Sequence, residues 1–318
     1  MEVKKIIILV MALVLAFPLA SCGSRQADQS DLTKEISESS NEDFVVPTIE
    51  QTELANEKGI IITAKELIYD PSEGWGLTVT MENNSENDVY IQNELLAVNH
   101  VKIFDRYGEN YFFVGSGQTC TEVYHFGISP FFRNFTFDFL HMTAITDIEM
   151  NFYVLKTWQM PGDPRVYNEE LFTSDMTELH TSEYQNGPQT ASISGGVEVY
   201  NKNGLRIIAK CIRSKTEKND LETIMFVENL SNQSVFVDMI SFWINDKPQI
   251  ARLQSEVEAG FMRISNDYLT SQELRSDGVR VPESVHAGFQ ILDKFEGEVL
   301  EETSPVEIPV ETEYVQDN

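Results

Sequence analysis

Three hydropathy regimes follow one another along this chain. Residues Ile6 to Phe17 form an unbroken apolar run behind Lys4 and Lys5, and Gly23 to about Asp43 holds few large apolar groups. From about Val46 onward the pattern becomes short alternations. Leu77, Val79 and Met81 interleave with Thr78 and Thr80, and Ile60, Ile62 and Ala64 share one face in the same way. Successive side chains on a strand point to opposite faces, so a period of two predicts half-buried strands. Clusters rich in Asn and Ser separate the runs, and these residues favour turns by bonding to nearby backbone. Helix is scarce. Its clearest signal is Thr270-Ser271-Gln272-Glu273, a capping-box spacing that leads to Leu274 and ends near Gly278. Short strands with turns between them, and no βαβ alternation, predict an all-β sandwich architecture.

The chain also matches itself. Gly59 to Lys65 aligns with Gly204 to Lys210 at an offset of 145, and Glu82-Asn83-Asn84-Ser85 with Glu228-Asn229-Leu230-Ser231 at 146. Val98-Asn99 meets Ile244-Asn245 at 146, Phe152 to Leu155 meets Phe289 to Leu292 at 137, and Leu171 and Leu179 meet Leu300 and Ile308 at 129. Collinear blocks predict one β domain carried twice, with two insertions in the first copy. The Glu-Asn-x-Ser blocks lie between apolar runs and are expected to join neighbouring antiparallel strands. The first copy is placed at residues 46–184 and the second at 197–315. Between them, residues 185–196 have the polar, turn-forming composition of a linker. The two copies are expected to fold as separate units. At offset 146, Thr78 and Thr80 correspond to Ile224 and Phe226, so the second copy has an apolar face where the first is polar. That face is expected to be covered, by the helix near Leu274, by the other copy or by a partner.

Each copy resembles the immunoglobulin-like β-sandwich domains of uncharacterised exported bacterial lipoproteins, through this strand pattern and the Glu-Asn-x-Ser-x-x-x-Val blocks at Glu82 and Glu228. The core disulfide and tryptophan usual in immunoglobulin domains are not visible. The first 21 residues add a second resemblance. A basic start, a short apolar core and Leu19-Ala20-Ser21-Cys22 are similar to a bacterial lipobox signal. The apolar run is too short for a bilayer span, which takes about 20 residues. The resemblance implies that Cys22 becomes the diacylated N-terminus, and two acyl chains give stable anchoring. Residues 22–45 then form a disordered tether, since their composition cannot offset the entropy of ordering. The implied location is the extracytoplasmic face of a cell membrane, or an outer membrane in a two-membrane cell.

The formal net charge is −28, and it becomes −29 when the leader leaves with Glu2, Lys4 and Lys5. Such an acidic chain disfavours nucleic acid as a partner. Catalytic signatures are thin. The histidines at 100, 125, 141, 180 and 286 show no His-Glu-x-x-His spacing, and Val114-Gly115-Ser116-Gly117 is no Gly-x-Ser-x-Gly elbow. No catalytic residue, metal or cofactor is expected. Cys120 and Cys211 sit at non-equivalent positions, so buried free thiols are expected, with a bridge between the domains as the alternative and a repeated domain disulfide excluded. One segment stands out by its aromatic content, from Tyr124 to Phe139. Phe135, Phe137 and Phe139 alternate as core positions do, whereas Tyr124, Phe126, Phe131 and Phe132 are candidates for an exposed binding patch. The sequence thus points to a lipid-anchored, non-catalytic binding module whose partner is an envelope protein or glycan. Its alternatives are the substrate-capturing lipoprotein of an importer, which needs two α/β lobes, and an envelope hydrolase.

Overall fold

The computed structural model describes residues 46–70, 74–105, 111–127, 140–157, 169–187, 189–214 and 219–313. The first half holds strands β1 (Thr52–Glu57), β2 (Ile60–Asp70), β3 (Gly74–Asn83), β4 (Val89–Val98), β5 (Val101–Lys102) and β6 (Phe104–Asp105). It continues with β7 (Phe112–Val114), β8 (Thr119–Gly127), β9 (Asp147–Thr157), β10 (Glu169–Thr173) and β11 (Thr177–His180). The second half holds β12 (Val197–Lys202), β13 (Leu205–Ser214), β14 (Leu221–Asn229), β15 (Val235–Ile244) and β16 (Lys247–Pro248). After these come β17 (Gln254–Val257), β18 (Met262–Leu269), a short helix α1 (Ser271–Ser276), β19 (Ser284–Leu292), β20 (Val299–Glu302) and β21 (Val306–Glu313). The fold is all-β, and the lipobox, Cys22 and the tether lie outside the described residues.

Both halves use one pairing scheme. In the first, β1 pairs β2, β2 pairs β3 and β3 pairs β8, while β4 pairs β5, β7 and β9, and β9 pairs β10 and β11. In the second, β12, β13, β14 and β18 repeat the first series, and β15 with β16, β17 and β19, then β19 with β20 and β21, repeat the other. Register irregularities recur too, between Glu53 and Ala55 and between Glu198 and Tyr200, and again between Asn93 and Leu95 and between Met239 and Ser241. Alternate side chains fill the space between the two sheets of each half. Ile62, Leu77, Val79, Ile91, Met150 and Phe152 belong to one buried cluster, and Ile207, Met225, Val227, Val237, Ala287 and Phe289 to a second. The second half adds one pairing, β13 with β21 in parallel. That strand therefore bonds to both sheets of its own half.

Local chemistry explains the recurrence. Lys58-Gly59 and Asn203-Gly204 each put two successive residues at positive φ, 51° and 81° in the first pair and 54° and 81° in the second. This is the backbone of a tight two-residue hairpin turn, and glycine takes its second place without strain. A Cβ on Gly59 would lie 3.2 Å from the Ser85 backbone nitrogen. The Glu-Asn-x-Ser blocks do something other than expected. They do not join paired strands: β3 lies in one sheet and β4 in the other, so the turn carries the chain across the sandwich. Asn83, fully buried, donates from Nδ2 to the carbonyls of Asn87 (2.8 Å) and Val114 (2.9 Å), and its Oδ1 accepts from the Ser85 amide (3.0 Å) and hydroxyl (2.7 Å). Asn229 makes the same four bonds, to Gln233, Val257 and Ser231. Turn residues announce a change of direction but not which sheet receives the next strand. The helix α1 follows its signal, with Thr270 as N-cap and the full capping box to Glu273.

The halves are not independent. Ile208, Ile224, Phe226, Met262 and Ile264, on the outer face of β13, β14 and β18, belong to the buried cluster of the first half. Ala191 and Ile193 of the expected linker are buried in that same cluster, so this stretch is packed rather than a loose connection. A two-residue parallel pairing of β5 with β18 also joins the halves into one continuous ladder. By strand register, the five apolar residues correspond to Thr63, Thr78, Thr80, Thr119 and Thr121 of the first half, all half-buried or exposed. From Val46 onward the chain clusters as a single unit.

Candidate functional site

The strongest departure from this internal likeness lies between β12 and β20, the strands that flank one open seam of the second half. There β21 bonds to both sheets through β13 and β19, closing the seam at its lower end. Above it a cleft of about 440 Å³ remains, lined by Glu198, Tyr200, Lys202, Glu301, Glu302 and Ser304 among others. In the first half the corresponding seam is plugged. Phe172 of β10 is 5% exposed, the Lys58 ammonium bonds the Leu171 carbonyl and stands 5.9 Å from the Phe172 ring, and Thr177 Oγ1 donates to the Leu54 carbonyl at 3.4 Å. The register irregularities align Leu171 with Leu300, hence Phe172 with Glu301. A carboxylate stands where the first half has a phenyl ring, and the buried Tyr200, at the position of Ala55, packs beside it and bonds it.

The cleft wall is hydrogen-bonded and charged. The Tyr200 hydroxyl donates to Glu301 Oε2 at 2.8 Å, and Lys202 bonds the other oxygen of the same carboxylate while standing 5.4 Å from the Tyr200 ring. The Lys202 ammonium, together with Tyr200, holds the Glu301 carboxyl below its ordinary range. Burial, then the bond to that carboxylate, pushes the Tyr200 hydroxyl up to about 12, so it stays a donor across the physiological range. Arg206 Nε donates to Glu198 Oε2 at 2.7 Å and Asn201 to its Oε1 at 3.1 Å, which lowers the Glu198 carboxyl in turn. Both of these cations are thus held by wall carboxylates. Beside the cleft, the β19–β20 hairpin exposes Phe295, Val299 and Leu300 at 56%, 45% and 48%. Phe295 packs edge-on to Phe236 with centroids 5.2 Å apart.

The aromatic candidates fare differently. Tyr124 does not belong to a surface patch: it is wholly buried, with Phe112 and Phe152 at 5.0 and 6.0 Å, because it faces inward from β8. Phe126 is partly buried against the same core, and Phe131 and Phe132 lie outside the described residues. Cys120 and Cys211 are buried and unbridged, and burial raises the Cys211 thiol to about 12. Among the described residues no group of three His, Cys, Asp or Glu side chains is arranged to hold a metal. Nor does any described helix have the length and apolarity to cross a membrane. The cleft had a sequence signal that the matching blocks alone concealed. At offset 129 Phe172 falls on Glu301, and at offset 145 Lys58 falls on Asn203, so neither the phenyl ring nor the lysine on the backbone carbonyl has a counterpart at the same position.

No family model and no curated protein matches this chain. Among solved structures, a protein of unknown function from Porphyromonas gingivalis W83 aligns over 80% of this chain and 99% of its own, at 11% identity and a TM-score of 0.20. A β-glucuronidase from Bacteroides uniformis aligns over 80% of this chain at 13% identity and a TM-score of 0.22, and the chain spans only 27% of that enzyme.

Proposed function

We propose that this chain is a lipid-anchored, extracytoplasmic binding module, held to the membrane through acylated Cys22 and acting by non-covalent capture of an envelope protein or glycan. The carrying observation is the seam that the first half plugs with Phe172 and the second lines with Tyr200, Lys202 and Glu301, leaving a polar cleft beside exposed Val299 and Leu300. Ordinary core packing would favour the plug, since burying a Phe side chain contributes about 1.5–3 kcal/mol. A Glu in its place forgoes that gain and creates a concave, hydrogen-bonding wall of the kind that orients ligands. The two halves divide the labour: the first covers the outer face of the second, and the second presents the cleft. The tether of residues 22–45 suits a protein that must stand clear of a lipid surface. The importer alternative requires helices over both sheet faces, and α1 has six residues.

The test is capture from native envelope by the full chain, compared with a chain carrying Glu301→Phe and Asn203→Lys, which restores the plug and its guard. A component retained by the parent and released by the plugged chain supports the proposal. Equal retention by both overturns the cleft as the site.

A further inference from the structure

Resting on that proposal, we infer that the cleft takes an extended, basic peptide segment as an added strand between β12 and β20. The first observation is the state of the two flanking edges. Among the described strands, β12 pairs only with β13 and β20 only with β19, so each turns an unpaired backbone edge to the seam. Lower down, β21 already does what the guest would do, bonding to β13 on one side and to β19 on the other. Unpaired edges are templates for another strand, and main-chain bonds then supply affinity whatever the guest's sequence. At about 3.3 Å per residue, the four residues of β20 offer roughly 13 Å of edge.

Free edges are commonly guarded by Lys or Pro. The first half follows this practice, with Lys58 on the Leu171 carbonyl. In the second half Asn203 takes that place, the neighbouring Lys202 bonds the Glu301 side chain and not a backbone carbonyl, and the equivalent residue, Leu300, is 48% exposed. The charge of the guest follows from the rim. Glu198, Glu301 and Glu302 line the cleft, and Glu296 and Glu298 lie on the adjoining turn, against Lys202, Arg206 and Lys294, which leaves an excess of two negative charges. Complementary charge selects and steers the partner. A strand alternating Lys with β-branched residues would set ammonium groups on the carboxylates and apolar groups beside Val299 and Leu300.

The experiment titrates the full-length chain, in detergent micelles, into a fluorescent peptide alternating Lys and Val and reads anisotropy. The Lys-Val peptide is expected to bind, with affinity lowered about tenfold or more when Glu replaces Lys or when alternate backbone amides are methylated. The plugged chain with Glu301→Phe and Asn203→Lys should lose binding by a similar factor. If that chain fails to fold, Leu300→Lys, at an exposed position, has to weaken the peptide instead. Methylated and parent peptides binding alike would overturn strand addition, and Glu and Lys peptides binding alike would overturn the choice of a basic guest. No peptide binding, in a chain whose envelope partner is still released by the plug, sinks this inference and leaves the cleft standing.

Discussion

Thr80 and Phe226 occupy the same place in the two halves, and they meet opposite surroundings. Thr80 pairs with Thr63 and Thr121, and its hydroxyl lies 3.0 Å from that of Thr121. Phe226 pairs with Ile208 and Ile264 and is wholly buried in the cluster shared with the first half. Phe226→Thr is expected to cost about 3 kcal/mol, the range for removing most of a buried ring. Thr80→Phe should stay within about 1 kcal/mol, since no packed core has to receive the ring. Denaturant midpoints of the two variants check this, and equal losses would contradict the assigned interface.

Asn83 and Asn229 provide a paired test of the crossing turns. Each side chain is buried and makes four hydrogen bonds. Alanine leaves buried carbonyls without donors, so each variant should lose roughly 2–4 kcal/mol. Similar values in the two halves are expected from urea unfolding. A loss below about 0.5 kcal/mol at either site would show that water replaces those bonds readily.

His100 makes the stability of the chain sensitive to mild alkali. It lies on the turn between β4 and β5, with Nδ1 2.9 Å from Glu149 Oε1, Nε2 3.9 Å from Asp147 Oδ1 and the Phe261 ring beyond. Its carbonyl accepts from the Met262 amide, at the junction of the halves. The bond to Glu149, opposed in part by burial and helped by the charges of Glu149, Asp147 and Glu178, raises the imidazole from 6.5 to about 8. Because the folded value is raised, the extra stability is fully present below about 6.5 and fades as pH climbs through about 8. With a side chain 41% exposed, screening reduces the effect to about 1 kcal/mol. Unfolding free energies of the parent and of His100→Gln should converge between pH 6 and pH 9. A gap that stays constant across that window counts against the imidazolium.

The proposed anchor rests on Cys22. Cys22→Ala should leave an uncleaved precursor that takes up no fatty-acid label, while Cys120→Ala and Cys211→Ala label as the parent does. Label persisting on the Cys22→Ala chain would remove the tether from the account.

Much of this arrangement could be read from the residues. Period-two alternation located the strands, and the Thr270 to Glu273 spacing located α1. The contrast of Thr78 and Thr80 with Ile224 and Phe226 marked a face that had to be covered. The other half was one of three expected covers and is the one found, whereas the share of Ala191 and Ile193 was not legible, because they are lone apolar residues in a polar stretch and carry no period. Nor was the crossing role of Asn83, since a buried amide that binds its own turn looks in sequence like any surface turn. Tyr124 was misplaced for a related reason: aromatic density signals apolar area, and only register says which way it faces. The cleft lies where the second half has Glu301 and Asn203 in the places of Phe172 and Lys58, a difference that emerges only when the halves are compared residue by residue.

The covered face of β13, β14 and β18 also bears on the order in which the chain is made. Were the second half to emerge first, Ile208, Ile224, Phe226, Met262 and Ile264 would meet water as a contiguous sticky surface until their cover arrived. Chains are synthesised from the N-terminus at about 5–20 residues per second, and domains fold as units as they appear. Here the half with the threonine face comes out first and has time to fold before its partner's apolar strands exist. A circular permutant that reversed this order would keep the same final contacts and expose itself to aggregation on the way to them.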